Sequence, residues 1–119
     1  MTRYRTHGLL LAAAAACLAL PAAAQVDQQC IQRWQQAMST RLLGERCQSL
    51  DAATTAKLKA LEDSNLACAM AKASAADKAQ LQASLPDVQK ETAKALANTP
   101  CDADTKATVS GHATQQLSK

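Results

Sequence analysis

The chain has 119 residues, of which 13 are basic and 10 are acidic. Its first 24 residues carry two of the basic side chains and none of the acidic ones, so the 95 residues that follow are almost neutral. Those 95 residues contain no run of Lys or Arg and have Trp34 as their one aromatic residue. This composition excludes the basic surface and the stacking platform that are typical of nucleic-acid-binding proteins.

The N-terminus has the three parts of a cleavable secretory signal peptide. Two arginines lie among the first five residues, an almost unbroken apolar run covers residues 9–20, and small residues follow a proline. We therefore predict a signal peptide over residues 1–24 and a single mature domain over residues 25–119. The apolar run is too short for a membrane-spanning helix of roughly 20 residues, and no comparable run follows it.

Cys17 leaves a second kind of processing open, in which this cysteine would carry a lipid. It follows three alanines, but the apolar run continues beyond it and ends at a better small-residue cleavage site before Gln25. We favour cleavage after Ala24. The expected product is a protein exported to the periplasm or the exterior, without a membrane span.

The mature chain is rich in helix-forming residues and poor in β-branched residues other than Thr, which predicts an all-α domain. A first helix is expected from Gln28 to Leu43. Asp27 can cap its N-terminus, its apolar residues recur at intervals of three and four, and Gly44 stands where a glycine often ends a helix.

Three further helices are expected. Ser49 or Asp51 can cap the second, which has apolar residues on two sides, and Ser74 can cap the third, which runs towards Asn98. Asp102 can cap the fourth. Pro86 falls inside the third helix, where it either kinks one continuous helix or divides it in two.

Four cysteines remain in the mature chain: Cys30, Cys47, Cys68 and Cys101. An even number of cysteines in an exported chain predicts two disulfides. Zinc sites usually contain closely spaced cysteine pairs, which this sequence lacks, so we expect neither a metal nor a cofactor. The mature chain has 19 alanines and 17 larger residues of the types Leu, Ile, Val, Met and Trp. Because small side chains bury little apolar area, disulfides would supply stability that this core lacks.

Helix lengths predict how these cysteines pair. At about 1.5 Å per residue, Cys47 and Cys68 would lie more than 20 Å apart along the second helix, whereas a disulfide requires Cα atoms within about 7 Å. If the third helix continues through a kink at Pro86, Cys101 returns to the end where Cys47 lies. We therefore predict an up-down-up-down four-helix bundle with disulfides Cys30–Cys68 and Cys47–Cys101.

The candidate catalytic residues of the sequence favour a protein that is not an enzyme. His112 is the one histidine of the mature chain, and Ser110 lies two positions away, which on a helix points in another direction. The acidic neighbours Glu62 and Asp63 are interpreted as solvated helix surface. Asp102 and Asp104 suit the N-terminus of the fourth helix, where negative charge is favoured.

Two groups of residues keep a binding role open. Trp34 with Arg33 and Arg41 places a large aromatic ring among cations, which can anchor a partner, although we favour Trp34 as the central residue of the core. The second group is a candidate soft-metal site, for which we prefer the interpretation that its methionines fill the core. Its members are Met38, Met70, Cys68 and His112.

Two functions remain as hypotheses. We favour a non-enzymatic interaction protein, such as an adaptor, an inhibitor or an immunity-type module, that binds an unknown protein partner through a helical face. The alternative is a carrier of a small apolar ligand, held in a cavity between alanine-rich helices. A well-packed interior supports the first hypothesis, and a continuous apolar cavity supports the second.

Overall fold

A computed structural model describes residues 26–118 of the chain. This part is all-helical, as predicted, with α1 at Gln28–Cys47, α2 at Ala52–Met70, α3 at Ala75–Leu96 and α4 at Ala103–Leu117. The predicted signal peptide, its cleavage site and Cys17 lie outside the described residues.

Each helix begins with a side chain that accepts a hydrogen bond from an otherwise unpaired backbone N–H group. The caps are Asp27, Asp51, Ser74 and Asp102. Of the two residues expected to cap α2, Asp51 does so, with its Oδ1 atom 2.6 Å from the backbone nitrogen of Thr54. These local signals fix where the helices begin.

The end of α1 differs from the prediction. The helix continues through Gly44 to Cys47, and Gln48 takes the left-handed conformation, with φ 51° and ψ 41°. The backbone N–H groups of Gln48 and Ser49 donate to the carbonyl groups of Glu45 and Gly44, which closes the helix. Gly44 has a packing role instead, because a Cβ atom there would lie 2.8 Å from Cγ of Leu50.

Helix α1 lies at the centre of the bundle and packs against the other three helices. Two apolar clusters pack around α1, one near each of its ends. The upper cluster, at the start of α1, comprises Val26, Cys30, Ile31, Trp34, Met38, Ala69, Leu81 and Val88. The lower cluster, at the end of α1, comprises Leu43, Cys47, Leu96 and Val109. The end of α2 and the start of α3 contribute to the upper cluster, and the end of α3 contributes to the lower one, so successive helices run in alternating directions.

The two predicted disulfides are confirmed. Cys30 and Cys68 have Cα atoms 5.9 Å apart, and Cys47 and Cys101 have Cα atoms 5.3 Å apart. Helix α3 runs through Pro86 without a break, which is the arrangement that brings Cys101 to the end of α1. The bundle is therefore cross-linked once at each end.

The interior of the bundle is partly polar. The buried polar or charged residues include four positions of α1, three of which are consecutive; within residues 26–118 they are Gln35, Ser39, Thr40, Arg41, Glu62, Thr92 and Thr99. Among residues 26–118, no helix combines the length and the apolar character that crossing a bilayer requires.

Candidate functional site

A buried ion pair joins α1 to α2. Arg41 donates from Nε and Nη2 to the two carboxylate oxygens of Glu62, and the second of these bonds is 3.0 Å long. Its Nη1 atom donates to Oε1 of Glu45, one turn further along α1, at 3.2 Å. Two parallel bonds between guanidinium and carboxylate fix both side chains in one geometry.

Both members of the pair are excluded from water. Arg41 is 8% exposed and Glu62 is 2% exposed. The prediction that Glu62 belongs to the solvated surface of its helix is therefore wrong. Glu62 lies one turn after the buried Leu58 on the face that α2 turns to α1. Its neighbour Asp63 is exposed, as predicted, and lies 3.7 Å from Lys59.

The environment of Arg41 keeps its guanidinium charged. The hydrogen bond to Glu62 raises the pKa of Arg41, burial acts in the opposite direction, and the negative charge of Glu62 raises the pKa further. Glu45 adds a smaller contribution of the same sign. The buried cation is thus held by two carboxylates, one on α1 and one on α2.

An open groove lies beside this pair, between the end of α1 and the start of α2. Its volume is about 580 Å³. The groove is bordered by the apolar side chain of Leu50, by small residues and by polar or charged side chains; its lining residues are Arg41, Gly44, Glu45, Gln48, Leu50, Ala52, Thr55, Ala56 and Lys59. Helix ends and the turn between them thus form a concave surface, to which Arg41 of the buried ion pair contributes.

Gly44 shapes one wall of this groove. Because it has no side chain, Leu50 of the α1–α2 turn packs directly against the backbone of α1. The same missing Cβ atom would lie 3.4 Å from Cγ1 of Val109 in α4. Three elements therefore meet at this glycine.

The three residues predicted as a binding group occupy different environments. Trp34 is 3% exposed and belongs to the upper cluster, which agrees with the preferred interpretation of a core residue. Arg33 is exposed. Arg41 is buried and binds Glu62 and Glu45. Of the three, Arg41 alone lines the groove.

Three of the four candidate metal ligands lie at the upper end of the bundle, and the fourth, His112, is half-buried in α4. Met38 is buried in the upper cluster and Met70 packs against it, while Cys68 is bonded to Cys30. Within residues 26–118, one group of potential ligand atoms converges: a carboxylate oxygen of Asp27 and the sulfur atoms of Cys30 and Cys68 lie within 4.8 Å of one another. In the disulfide these sulfur atoms are not thiolates, which are the form of cysteine that binds metals.

The acidic residues at the start of α4 act as expected at a helix N-terminus. Asp102 accepts a hydrogen bond from the backbone nitrogen of Thr105 at 2.8 Å, and Asp104 lies in the first turn. The hydrogen bond from Thr105 lowers the pKa of Asp102 below its ordinary value of 3.8.

Sequence reasoning missed Glu62 and the groove. One signal was present, because Arg41 lies seven positions after Trp34 and therefore on the same face of α1. A cation on a buried face requires an anion opposite, and Glu62 follows Leu58 by four positions on α2. The groove itself has no comparable signal, since it depends on how α1 and α2 are joined.

No protein-family model, no curated protein and no solved structure matches the chain.

Proposed function

We propose that this chain is an exported, non-enzymatic binding module that holds a segment of a partner protein in the groove between α1 and α2. The observation that carries the proposal is an open groove of about 580 Å³, lined in part by Arg41, whose side chain is held in place by Glu62 and Glu45. Pockets for small molecules commonly have volumes of roughly 300 to 1,000 Å³, so a groove of this size has room for a few side chains of a partner segment. Disulfides at both ends of the bundle reduce the ordering cost of binding, because the walls are already in place.

The chemistry of the groove suits a polypeptide segment that presents a neutral hydrogen-bond acceptor such as a carbonyl oxygen. Glu62 and Glu45 accept from three of the five N–H groups of Arg41. Lys59, whose side chain is 57% exposed, adds a cation at the rim. Ala52 and Ala56 leave room on the α2 side for the backbone of a partner.

The carrier hypothesis receives less support from this geometry. The groove lies at the surface, where Glu45 and Lys59 border it, whereas an apolar ligand favours an enclosed apolar cavity. The region around Trp34 is filled by the side chains of the upper cluster. A protein segment is therefore the occupant we propose.

Export is the second part of the proposal. Two disulfides are typical of proteins that fold in an oxidising compartment, and the signal-like N-terminus agrees with this. N-terminal sequencing of the protein from fractionated producing cells is expected to begin at Gln25. A chain that still begins at Met1, or one that begins at a lipid-modified Cys17, would contradict this part.

Site-specific crosslinking tests the binding surface. A photoreactive amino acid at Ala56 in the groove is compared with one at Ala83, an exposed alanine of α3 that does not line the groove. We expect a discrete adduct in producing cells from position 56 alone, and its loss when Lys59→Glu reverses the charge at the rim. Equal adducts from both positions, or an adduct from position 83 alone, would place the binding surface elsewhere.

A further inference from the structure

The two disulfides lie beside side chains of opposite charge. At the lower end of the bundle, Nη1 of Arg46 lies 3.0 Å from Sγ of Cys101 and 3.5 Å from Sγ of Cys47. Its Nη2 atom donates to the backbone carbonyl of Ala97 at 2.8 Å. The guanidinium is thus held in place by the end of α3 with one nitrogen directed at both sulfur atoms.

At the upper end the neighbouring group is an anion. A carboxylate oxygen of Asp27 lies within 4.8 Å of the sulfur atoms of both Cys30 and Cys68. In exposure the two disulfides are alike, because each joins one buried cysteine, Cys30 or Cys47, to one exposed cysteine, Cys68 or Cys101. The charge of the neighbouring side chain is a property in which they differ.

Charge matters because thiol–disulfide exchange passes through anions. A thiolate attacks one sulfur atom, and a second thiolate leaves. A cation beside the bond attracts the attacking thiolate and stabilises the leaving one, whereas a carboxylate opposes both. Arg46 is therefore expected to speed exchange at the lower disulfide, and Asp27 is expected to slow it at the upper one.

We propose that Cys47–Cys101 is the exchangeable disulfide of this protein, open to a dithiol reductant, and that Cys30–Cys68 is the resistant one. A thiolate of the dithiol bonds to the exposed Cys101 sulfur and expels the Cys47 thiolate beside Arg46. The second thiol of the reductant, once deprotonated, then displaces Cys101. The protein disulfide gains two electrons and becomes two thiols, and the dithiol becomes a disulfide.

The dipole of α1 acts in the opposite sense and is the weaker influence. Cys30 lies in the first turn of α1, where the helix favours an anion, and Cys47 lies in its last turn, where the helix disfavours one. A helix terminus carries roughly half an elementary charge, whereas Arg46 and Asp27 each carry a full one. Asp27 also caps the N-terminus of α1, and its negative charge offsets the positive potential of the helix at Cys30.

Opening the lower disulfide has a local structural consequence. Cys101 lies in the connection between α3 and α4, so its reduction frees this connection from the end of α1. The upper disulfide continues to join α1 to α2. Exposure to a dithiol is therefore expected to loosen the connection between α3 and α4 first and to leave α1 and α2 cross-linked.

Limited reduction tests the proposal. The folded protein is treated with a small amount of dithiothreitol, the free thiols are alkylated at intervals, and each cysteine is followed by peptide mass spectrometry. We expect Cys47–Cys101 to open at least about fivefold faster than Cys30–Cys68. A single unit charge a few ångströms from the reacting sulfur atoms, in surroundings close to water, produces a rate difference of about this size. Arg46→Gln should remove most of this advantage, and Arg46→Lys, which keeps the charge, should retain part of it.

Asp27→Asn provides the reciprocal control. Asn caps helices about as well as Asp, so this variant removes the charge and keeps the helix start. It should accelerate the opening of Cys30–Cys68 severalfold and leave Cys47–Cys101 unchanged, and 1 M salt should narrow the difference between the two bonds. Equal opening rates in the unmodified protein, or an Arg46→Gln variant that exchanges as fast as Arg46→Lys, would overturn the proposal.

Discussion

Arg41 and Glu62 are buried in a bundle whose core contains few large apolar side chains. Removing two charges from water costs several kcal/mol for each ion, and the two parallel bonds between them offset this cost. The pair therefore adds little to stability compared with an apolar pair of similar volume. It does make each partner strongly dependent on the other.

Glu62→Gln is expected to lower the free energy of unfolding by about 3 kcal/mol, because it leaves the buried Arg41 cation without its main counter-charge. Replacing both residues, with Arg41→Met and Glu62→Leu, should restore most of this loss. Urea denaturation measures each variant. Asp63→Asn is the control, since its pair with Lys59 is exposed and contributes less than about 0.5 kcal/mol. A Glu62→Gln variant as stable as this control would show that the pair is not buried.

Trp34 gives a second test at the residue scale. It is 3% exposed within the upper cluster, so Trp34→Ala should cost about 3 to 5 kcal/mol of stability. The folded protein should show blue-shifted tryptophan emission that soluble quenchers reach poorly. The neighbouring Arg33→Ala, at an exposed position, should change stability by less than about 0.5 kcal/mol. Red-shifted, readily quenched emission would show that Trp34 lies at the surface.

These residues show what the sequence can predict at this scale. The burial of Trp34 follows from its size and its place in the apolar pattern of α1. The sequence predicts a surface position for Glu62, because adjacent acidic residues usually are solvated. Its burial depends on facing Arg41 across two helices, and a periodicity within one helix does not contain that information.

At the scale of elements, the helix starts were predictable and one helix end was not. A cap acts through a side chain within three residues of the N–H group that it satisfies, so it can be read locally. Gly44 also has the local appearance of a helix end. Its actual role is set by Leu50 and Val109, which approach it from other parts of the chain. Gln48 closes the helix in its place.

Alanine substitutions at the two glycines of residues 26–118 separate close packing from helix propensity. Alanine in a helix interior is favoured over glycine by about 1 kcal/mol, but crowding in a packed site costs about 1 to 3 kcal/mol. We expect Gly44→Ala to destabilise the protein by about 1 kcal/mol, because its Cβ atom meets Leu50. In a Leu50→Ala background, the same change should become neutral or stabilising.

Gly111→Ala is the matched control for this prediction. Gly111 lies in α4, and a Cβ atom there has no neighbour within 4 Å. The substitution should therefore stabilise the protein by about 0.5 to 1 kcal/mol in the same denaturation experiment. If Gly44→Ala stabilised the protein as much as Gly111→Ala, the close packing of the α1–α2 turn would be refuted.

The caps of α2 and α4 make stability depend on pH. Backbone hydrogen bonds from Thr54 and Thr105 lower the pKa of Asp51 and Asp102 below the ordinary value of 3.8. Since the folded pKa lies below the unfolded one, the stabilisation is present above the unfolded value and is lost as the pH falls through the folded pKa.

Melting temperatures of the native protein and of Asp51→Asn check this dependence. Asn keeps the cap and lacks the titrating charge, so the difference between the two proteins reports the charge alone. The difference should be constant from about pH 7 to pH 5 and should shrink below about pH 4. A difference that stays the same down to about pH 2 would assign no role to the charge of Asp51.

At the scale of the whole molecule, the topology followed from cysteine positions and helix lengths. The closed loops span 38 and 54 residues, and by the chain-entropy account each cross-link stabilises the fold by about 4 kcal/mol. Two such bonds are comparable with the total stability of a small domain. This explains how a bundle with many alanines and a polar interior keeps one structure. The groove was not predictable, because it arises where two helix ends and a turn meet.

The continuity of α3 through Pro86 is what assigns the four cysteines to two ends of one bundle. The pairing is therefore the feature on which the topology, the fixed groove and the contrast between the two disulfides all depend. A chain reversed at Pro86 would carry Cys101 away from Cys47.

Non-reducing peptide mapping measures this pairing directly. Trypsin leaves the four cysteines in four separate peptides, which end at Arg33, Lys57, Lys72 and Lys106. We predict that the peptide ending at Arg33 is linked to the one ending at Lys72, and the peptide ending at Lys57 to the one ending at Lys106. A link between the peptides ending at Arg33 and Lys57, or between those ending at Lys72 and Lys106, would contradict the four-helix bundle described here.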